Sequence, residues 1–274
     1  MSPAALDAPR AGRRIGTSIV DPAILVRLCC GMLAGIVLED VRPSALTPAQ
    51  IDDLWEIHRQ YVERSRASFE AGLAGCDEVV LLRERAGGTI RGFVVFNVVD
   101  VDVRGQNHVV ILSRWGFLAR SFRNRSVMQW VGIRSWLRQK RRRPLDPVHC
   151  AFTASTVNSY LYLVRSFVEA WPHRSGPTPP LYNELLDRTM HAIGERAWDP
   201  ASGRVIRNGE VRYLEGVVGK DVTRIDDPDI RFYHEQNPHQ DRGDSLGCIA
   251  PATMAALVDY GRRTLRKRLS GARR

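Results

Sequence analysis

Apolar and polar positions divide this chain into short elements. Between Glu78 and Val101 two runs, EVVLLRER and TIRGFVVFNVVDV, flank Ala86-Gly87-Gly88, which predicts two strands joined as a hairpin. His108 to Leu112 is apolar without alternation, as in a strand covered on both faces. Val127, Trp130, Ile133 and Leu137 recur at helical spacing and predict a helix starting near Ser126. A second short strand, Val148 to Phe152, and a helix from about Asn158 complete this central stretch.

Upstream, Thr47-Pro48 is a helix start, with Thr47 as cap and Pro48 in the first turn. Ile51, Leu54, Trp55, Ile57, His58, Tyr61 and Val62 form its apolar stripe, on which His58 reads as a packed core histidine. Asp21-Pro22 begins an apolar run, Ala23 to Leu38, which is short for a membrane span and carries Arg27. It predicts an apolar helix, with contact to a membrane surface as the alternative. Residues 1–16 are rich in Ala, Pro and Arg and read as a disordered tail.

Downstream, His173 to Pro180 is the strongest break. A helix follows, Leu181 to about Ala197. Asn208-Gly209 then predicts a type I′ hairpin between strands Arg204–Ile206 and Val211–Val217. Phe232 to Cys248 reads as a polar loop, and Pro251 to about Leu269 as a closing helix.

Composition narrows the partners. The 274 residues carry a formal net charge of +10, which calls for an anionic substrate or partner. Lys140, Lys220 and Lys267 are the only lysines, so the charge is almost all guanidinium. Cys29, Cys30, Cys76, Cys150 and Cys248 form no disulfide framework and no Cys-x-x-Cys pair, which fits a reducing, cytoplasmic compartment.

The candidate chemistry lies in the basic turn Arg120-Ser121-Phe122-Arg123-Asn124-Arg125-Ser126. A strand, this turn and a helix in succession put free N–H groups, the positive helix end and several arginines where a phosphate is stabilised. The order resembles the acyl-CoA-binding half of the GCN5-related N-acetyltransferase (GNAT) superfamily. Arg91-Gly92-Phe93 resembles the start of its third strand, and Thr153 to Phe167, with Asn158, its second motif. Where the family's turn has small residues, this chain has Ser126 and Met128.

The resemblance implies an α/β (α+β) fold: a GNAT-like mixed, mostly antiparallel central sheet flanked by helices, with a C-terminal extension. Residues 1–39 would be the tail and apolar helix, 40–172 the donor-binding core, and 173–274 a region contributing to the acceptor site. It implies an N-acyltransferase that moves an acyl group from acyl-CoA or acyl carrier protein to an amine, small molecule or peptide, with no permanently bound cofactor. Donor-binding candidates are Trp115, Phe117 and Leu118 on the strand, Arg123, Asn124, Arg125, Ser126 and Val127 at the turn, and Asn158. Tyr162, then Tyr160, are candidates for the acid that protonates the departing thiolate.

The base is sought in the C-terminal polar segment, at His234, Glu235 or His239. His234, His239, Asp241, Asp244 and Cys248 have no metal-ligand spacing, and no metal is expected. Cys248 with a nearby histidine is a weaker candidate for nucleophilic catalysis. Two readings rival the enzyme: a nucleic-acid-binding protein using its arginine clusters, Lys140 to Pro144 among them, and a degenerate fold acting as a scaffold.

Overall fold

The computed structural model describes residues 35–119, 122, 127–214, 226–260 and 262. Its strands are β1 (Ile36–Val41), β2 (Val62–Glu63), β3 (Glu78–Glu84), β4 (Ile90–Val103), β5 (Gln106–Leu118), β6 (Val148–Ala154), β7 (Trp198–Asp199), β8 (Arg204–Val205), β9 (Arg212–Tyr213) and β10 (Ser245–Pro251). Its helices are α1 (Pro48–His58), α2 (Arg66–Ala74), α3 (Val127–Arg142), α4 (Val157–Ser166), α5 (Pro180–Ala192) and α6 (Pro228–Gln236), and residues 254–260 are also helical. Eight strands make one sheet in the order β1-β3-β4-β5-β6-β10-β8-β7, while β2 and β9 pair apart from it. All pairs in the large sheet are antiparallel except β5 with β6.

Period-two alternation sends successive side chains to opposite faces, and the apolar runs cover both. Val79, Leu81, Phe93 and Val95 pack against Leu54 and Ile57 of α1 and Phe69 of α2. Val80, Leu82, Val94, Phe96 and Ile111 pack against Val127, Val131 and Trp136 of α3. Farther along, Val110, Leu112, Ala151 and Ile249 meet Leu185 and Met190 of α5. Ala154, Leu246, Cys248 and Ala250 meet α4 and α6. Thus α3 and α4 share one face, on either side of the parallel pair.

Local signals account for several boundaries. Thr47 caps α1 in a full capping box with Gln50, and Pro48 is its first residue. His58 is a core residue at 2% exposure, set among Trp55, Phe69 and Phe117. At the basic end of α3, Lys140 donates to the carbonyls of Pro144 and Asp146 and Arg143 pairs with Asp100, while Arg141 and Arg142 are exposed. That is helix termination by positive charge.

Four expected elements differ. Ile36–Leu38, the end of the supposed apolar helix, belongs to β1 and pairs with β3; the rest of that run lies outside the described residues. Its β-branched pair and the open edge of β3 favour strand over helix there. Asn208 and Gly209 do take positive φ, and Glu210 N–H donates to Arg207 O across the turn. The flanking strands nevertheless separate, β8 pairing with β10 and β7 and β9 with β2, so the turn forms without a hairpin. Phe232 to Cys248 is no continuous loop: Phe232–Gln236 lies in α6 and Ser245–Cys248 in β10. Pro251 ends β10 rather than opening a helix, because its neighbours Ile249 and Ala250 are held by β6. Among the described residues no helix is long and apolar enough to cross a membrane.

Candidate functional site

The parallel pair β5–β6 runs from Val109↔Val148 to Ser113↔Phe152 and then divides. Beyond Ser113, β5 pairs with β4 as far as Gly92↔Leu118. Beyond Phe152, β6 turns to β10, through Thr153↔Gly247 and Ala154↔Leu246. Two strand edges therefore diverge where a sheet would ordinarily continue, and their facing backbone groups border a cleft of about 780 Å³. Such groups bind an extended chain as an added strand would.

Two helix N-termini meet this cleft. Val127, Met128 and Gln129, the first turn of α3, line one side. Thr156, the cap of α4, lines the other with Asn158 and Ser159; its Oγ1 accepts from the Ser159 N–H at 3.2 Å. The unsatisfied N–H groups and dipole of such termini favour an anion. Farther in, the lining is apolar: Ile111, Gly132, Trp136, Cys150, Phe152 and Leu257. The cleft is thus polar at its helix ends and apolar along its length.

Of the sequence candidates, Trp115, Phe117, Leu118, Val127, Asn158 and Tyr162 all line this cleft. Trp115 and Phe117 point their rings toward α1 and α2 and border the cleft through the strand. Arg123, Asn124, Arg125 and Ser126 lie outside the described residues. Tyr162 is half-buried beside Phe152. Burial, then Cys150 and Tyr260, push its phenol well above the usual tyrosine range, so the hydroxyl keeps its proton and remains a donor.

The other catalytic candidates stand elsewhere. Tyr160 is two positions along α4 and so on its opposite side. It is fully buried against Tyr233 and donates to Pro172 O at 3.2 Å. His234 stands on α6 with its Nδ1 3.0 Å from Gln240 Nε2, and Glu235 and His239 are exposed; none of the three lines the cleft. Cys248 is buried in β10, its thiol pushed up by burial and bonded to Leu246 O, which removes it as a nucleophile. Cys150 does line the cleft, but burial pushes it to about 12.

Three features of the site carried no sequence signal. A Cβ at Gly116 would lie 2.3 Å from Met128 Cε, so the bulky residue at the start of α3 is received by a glycine in β5. Tyr61, at the end of the α1 stripe, donates its hydroxyl to Leu118 O and fixes the end of β5. Tyr213 of β9 lines the cleft and bonds Ser155, joining the C-terminal part of the chain to the splayed edge.

No protein-family model matches the chain, and no curated protein matches it in sequence. Among solved structures it is similar to Arabidopsis thaliana NAA60 in complex with a bisubstrate analogue, at 16% identity and a TM-score of 0.36, over 49% of this chain and 87% of that one. It is also similar to the aminoglycoside N-acetyltransferase AAC(6')-Iy in complex with CoA, at 14% identity and 0.32, over 58% and 86%. Escherichia coli ElaA matches at 18% identity and 0.32, over 50% and 93%. At such scores these overlaps carry no weight of their own; the topology does. A mixed, mostly antiparallel sheet flanked by helices, with one parallel pair splayed above two helix N-termini, is a GNAT-like fold.

Proposed function

We propose that this protein is an N-acyltransferase taking its acyl group from acyl-CoA. The splay of β5 from β6 over the first turns of α3 and α4 carries the reading. The pantetheine arm lies along the diverging edges, the pyrophosphate sits at the start of α3, and the acyl group enters the apolar lining. Arg123 and Arg125 precede that helix in sequence and supply charge to the phosphates.

The acceptor nitrogen adds to the thioester carbonyl, whose developing oxyanion is stabilised by N–H groups of β5 near Ser113. The carbon–sulfur bond then breaks as the amide forms. Tyr162 gives its proton to the departing thiolate, and solvent at the open mouth of the cleft takes the proton from the amine and restores the phenol. Holding donor and acceptor together in one cleft supplies the remaining acceleration.

Thermal unfolding against acyl-CoAs of increasing chain length tests the donor, because a ligand of the native state raises the midpoint by mass action. A rise that depends on chain length and is lost in Arg123→Ala and Arg125→Ala is expected. No rise with any acyl-CoA, but one with acylated carrier protein, would replace CoA as donor. No rise with either would remove acyl transfer.

A further inference from the structure

At the mouth of the splay, β5 carries one extra residue. Val95 faces Trp115 and Phe96 faces Ser113, so Arg114 is bulged from the ladder. A bulge re-aims its side chain, and Arg114 lines the cleft. Two more guanidiniums gather near it. Arg64 lies over the Trp115 ring, 5.0 Å from its centroid, and its Nε donates to Ser68 Oγ at 2.8 Å. Arg207 follows β8 and acts electrostatically on both Arg64 and the cleft-lining Tyr213.

The group holds a surplus of positive charge. Among the described residues Glu195 is the carboxylate ion-paired with it, and Arg207 engages both its oxygens, at 2.7 and 3.1 Å. Arg114 is left with a long contact to Glu195 at 3.7 Å. Asp77, whose charge acts on Cys76 in the opposite sense to that of Arg114, is taken by Asn97 Nδ2 and Val98 N–H. Arg114 and Glu195 are only 18% and 10% exposed, so solvent screens them poorly. Burial first, then the charges of Arg207 and Arg114, holds the Arg64 guanidinium below the usual arginine range. Half-buried like charges are costly unless an anion completes them.

We propose that Arg114, supported by Arg64 and Arg207, receives a carboxylate on the acceptor, so that the amine acylated belongs to an amino acid or a peptide bearing a carboxylate close to it. The proposal rests on the acyl-transfer reading. Guanidinium forks match carboxylate geometry, whereas a polycationic amine is repelled by the positive excess that three guanidiniums leave over the one carboxylate of Glu195. Tyr213 and Ser155 border the same end of the cleft and offer hydroxyls to the rest of the acceptor.

The test compares free amino acids with their α-amides as acceptors, with the donor that binds in the unfolding titration. Thiol release gives kcat and KM. The unfolding midpoint of the donor-loaded protein is read with each acceptor, so binding is scored even where turnover is slow. The amine of an amide is the less basic, so intrinsic reactivity at neutral pH favours the amide, and a preference for the acid must come from the site. A charge-assisted hydrogen-bonded pair predicts about tenfold to a hundredfold higher kcat/KM for the acid. Arg114→Gln should collapse that ratio toward unity through KM, and Arg114→Lys should restore part of it, which a folding defect would not do. Equal values for acid and amide by both readouts, or a ratio unchanged in Arg114→Gln, would overturn the carboxylate site alone. Failure of every donor to bind would instead overturn acyl transfer, and the carboxylate site with it.

Discussion

Tyr160 and Tyr162 differ by two positions and by surroundings. Tyr160 spends its hydroxyl on Pro172 O inside the core, while Tyr162 borders the cleft with its proton retained. Tyr162→Phe should therefore lower kcat by about two to four powers of ten, the range of a positioned acid. Its donor midpoint shift should persist. Tyr160→Phe should keep kcat and lose about 1 kcal/mol of stability, the net worth of one hydrogen bond. Steady-state kinetics with denaturant unfolding separates the two, and reversed results would exchange their roles. His58 gives a second residue-scale prediction. Burial, then Arg64, lowers it to about 4, so the native state excludes a proton that the unfolded chain binds below about 6.5. Stability from this group is then full above about pH 6.5 and is lost as pH falls toward 4, by on the order of 3 kcal/mol. His149 is lowered to about 4 by burial and His108 and adds to the same slope. His58→Phe, fitting the ring cluster of Trp55, Phe69 and Phe117, should flatten the pH dependence of unfolding free energy by nearly one proton between pH 4 and 6.5. An unchanged slope would mean that His58 is protonated in the native state.

At the scale of elements, Gly116 of β5 and Met128 of α3 form one packing unit. The sequence places small residues of the resembled family at the turn and meets Met128 there instead; the structure puts the compensating glycine on the facing strand. Gly116→Ala should displace the flexible end of Met128 at a small cost, about 1 kcal/mol or less, and Met128→Ala should recover it in the double variant. Independent, additive effects in the cycle would show that the two do not share a space. This contact also explains what was legible. Strands β3 to β6 and helices α1, α3 and α4 follow from local pattern, caps and turns, whereas Trp115, Phe117, Leu118, Val127, Asn158 and Tyr162, which line the cleft, are pointed to by the family resemblance. Pairing between distant segments does not follow from local pattern. Asn208-Gly209 encodes a turn, yet the partners of β8 and β9 are β10 and β2, chosen by long-range burial. Tyr61, Tyr213, Gly116 and the bulged Arg114 enter the site through such pairings, and no spacing in the sequence announces them.

At the scale of the molecule, β10 decides how the site is held open. It occupies the side of β6 away from β5, from Pro251↔His149 to Leu246↔Ala154, and draws the end of β6 from β5. Trp171 exchanges both backbone hydrogen bonds with Ile249, and Tyr233 of α6 donates to Ala154 O at 3.1 Å, so the last hundred residues back the strands of the cleft while Tyr213 and Leu257 among them line it. Residues 40–172 contain every donor-binding candidate, but without β10 strand β6 would become an edge with unpaired N–H and C=O groups. Ala154, Tyr160 and Leu163 would lose the cover of α6 and β10. An apolar exposed edge of this kind associates rather than folding alone. A chain ending at Pro172 is therefore expected to show no cooperative thermal transition, to elute as aggregate, and to give no midpoint shift with acyl-CoA. Adding residues 173–274 as a separate polypeptide should restore a transition only if β10 can pair in trans. A monomeric fragment that unfolds cooperatively and binds acyl-CoA would show the opposite: that the splay is built into β5 and β6 themselves, with β10 a later cover.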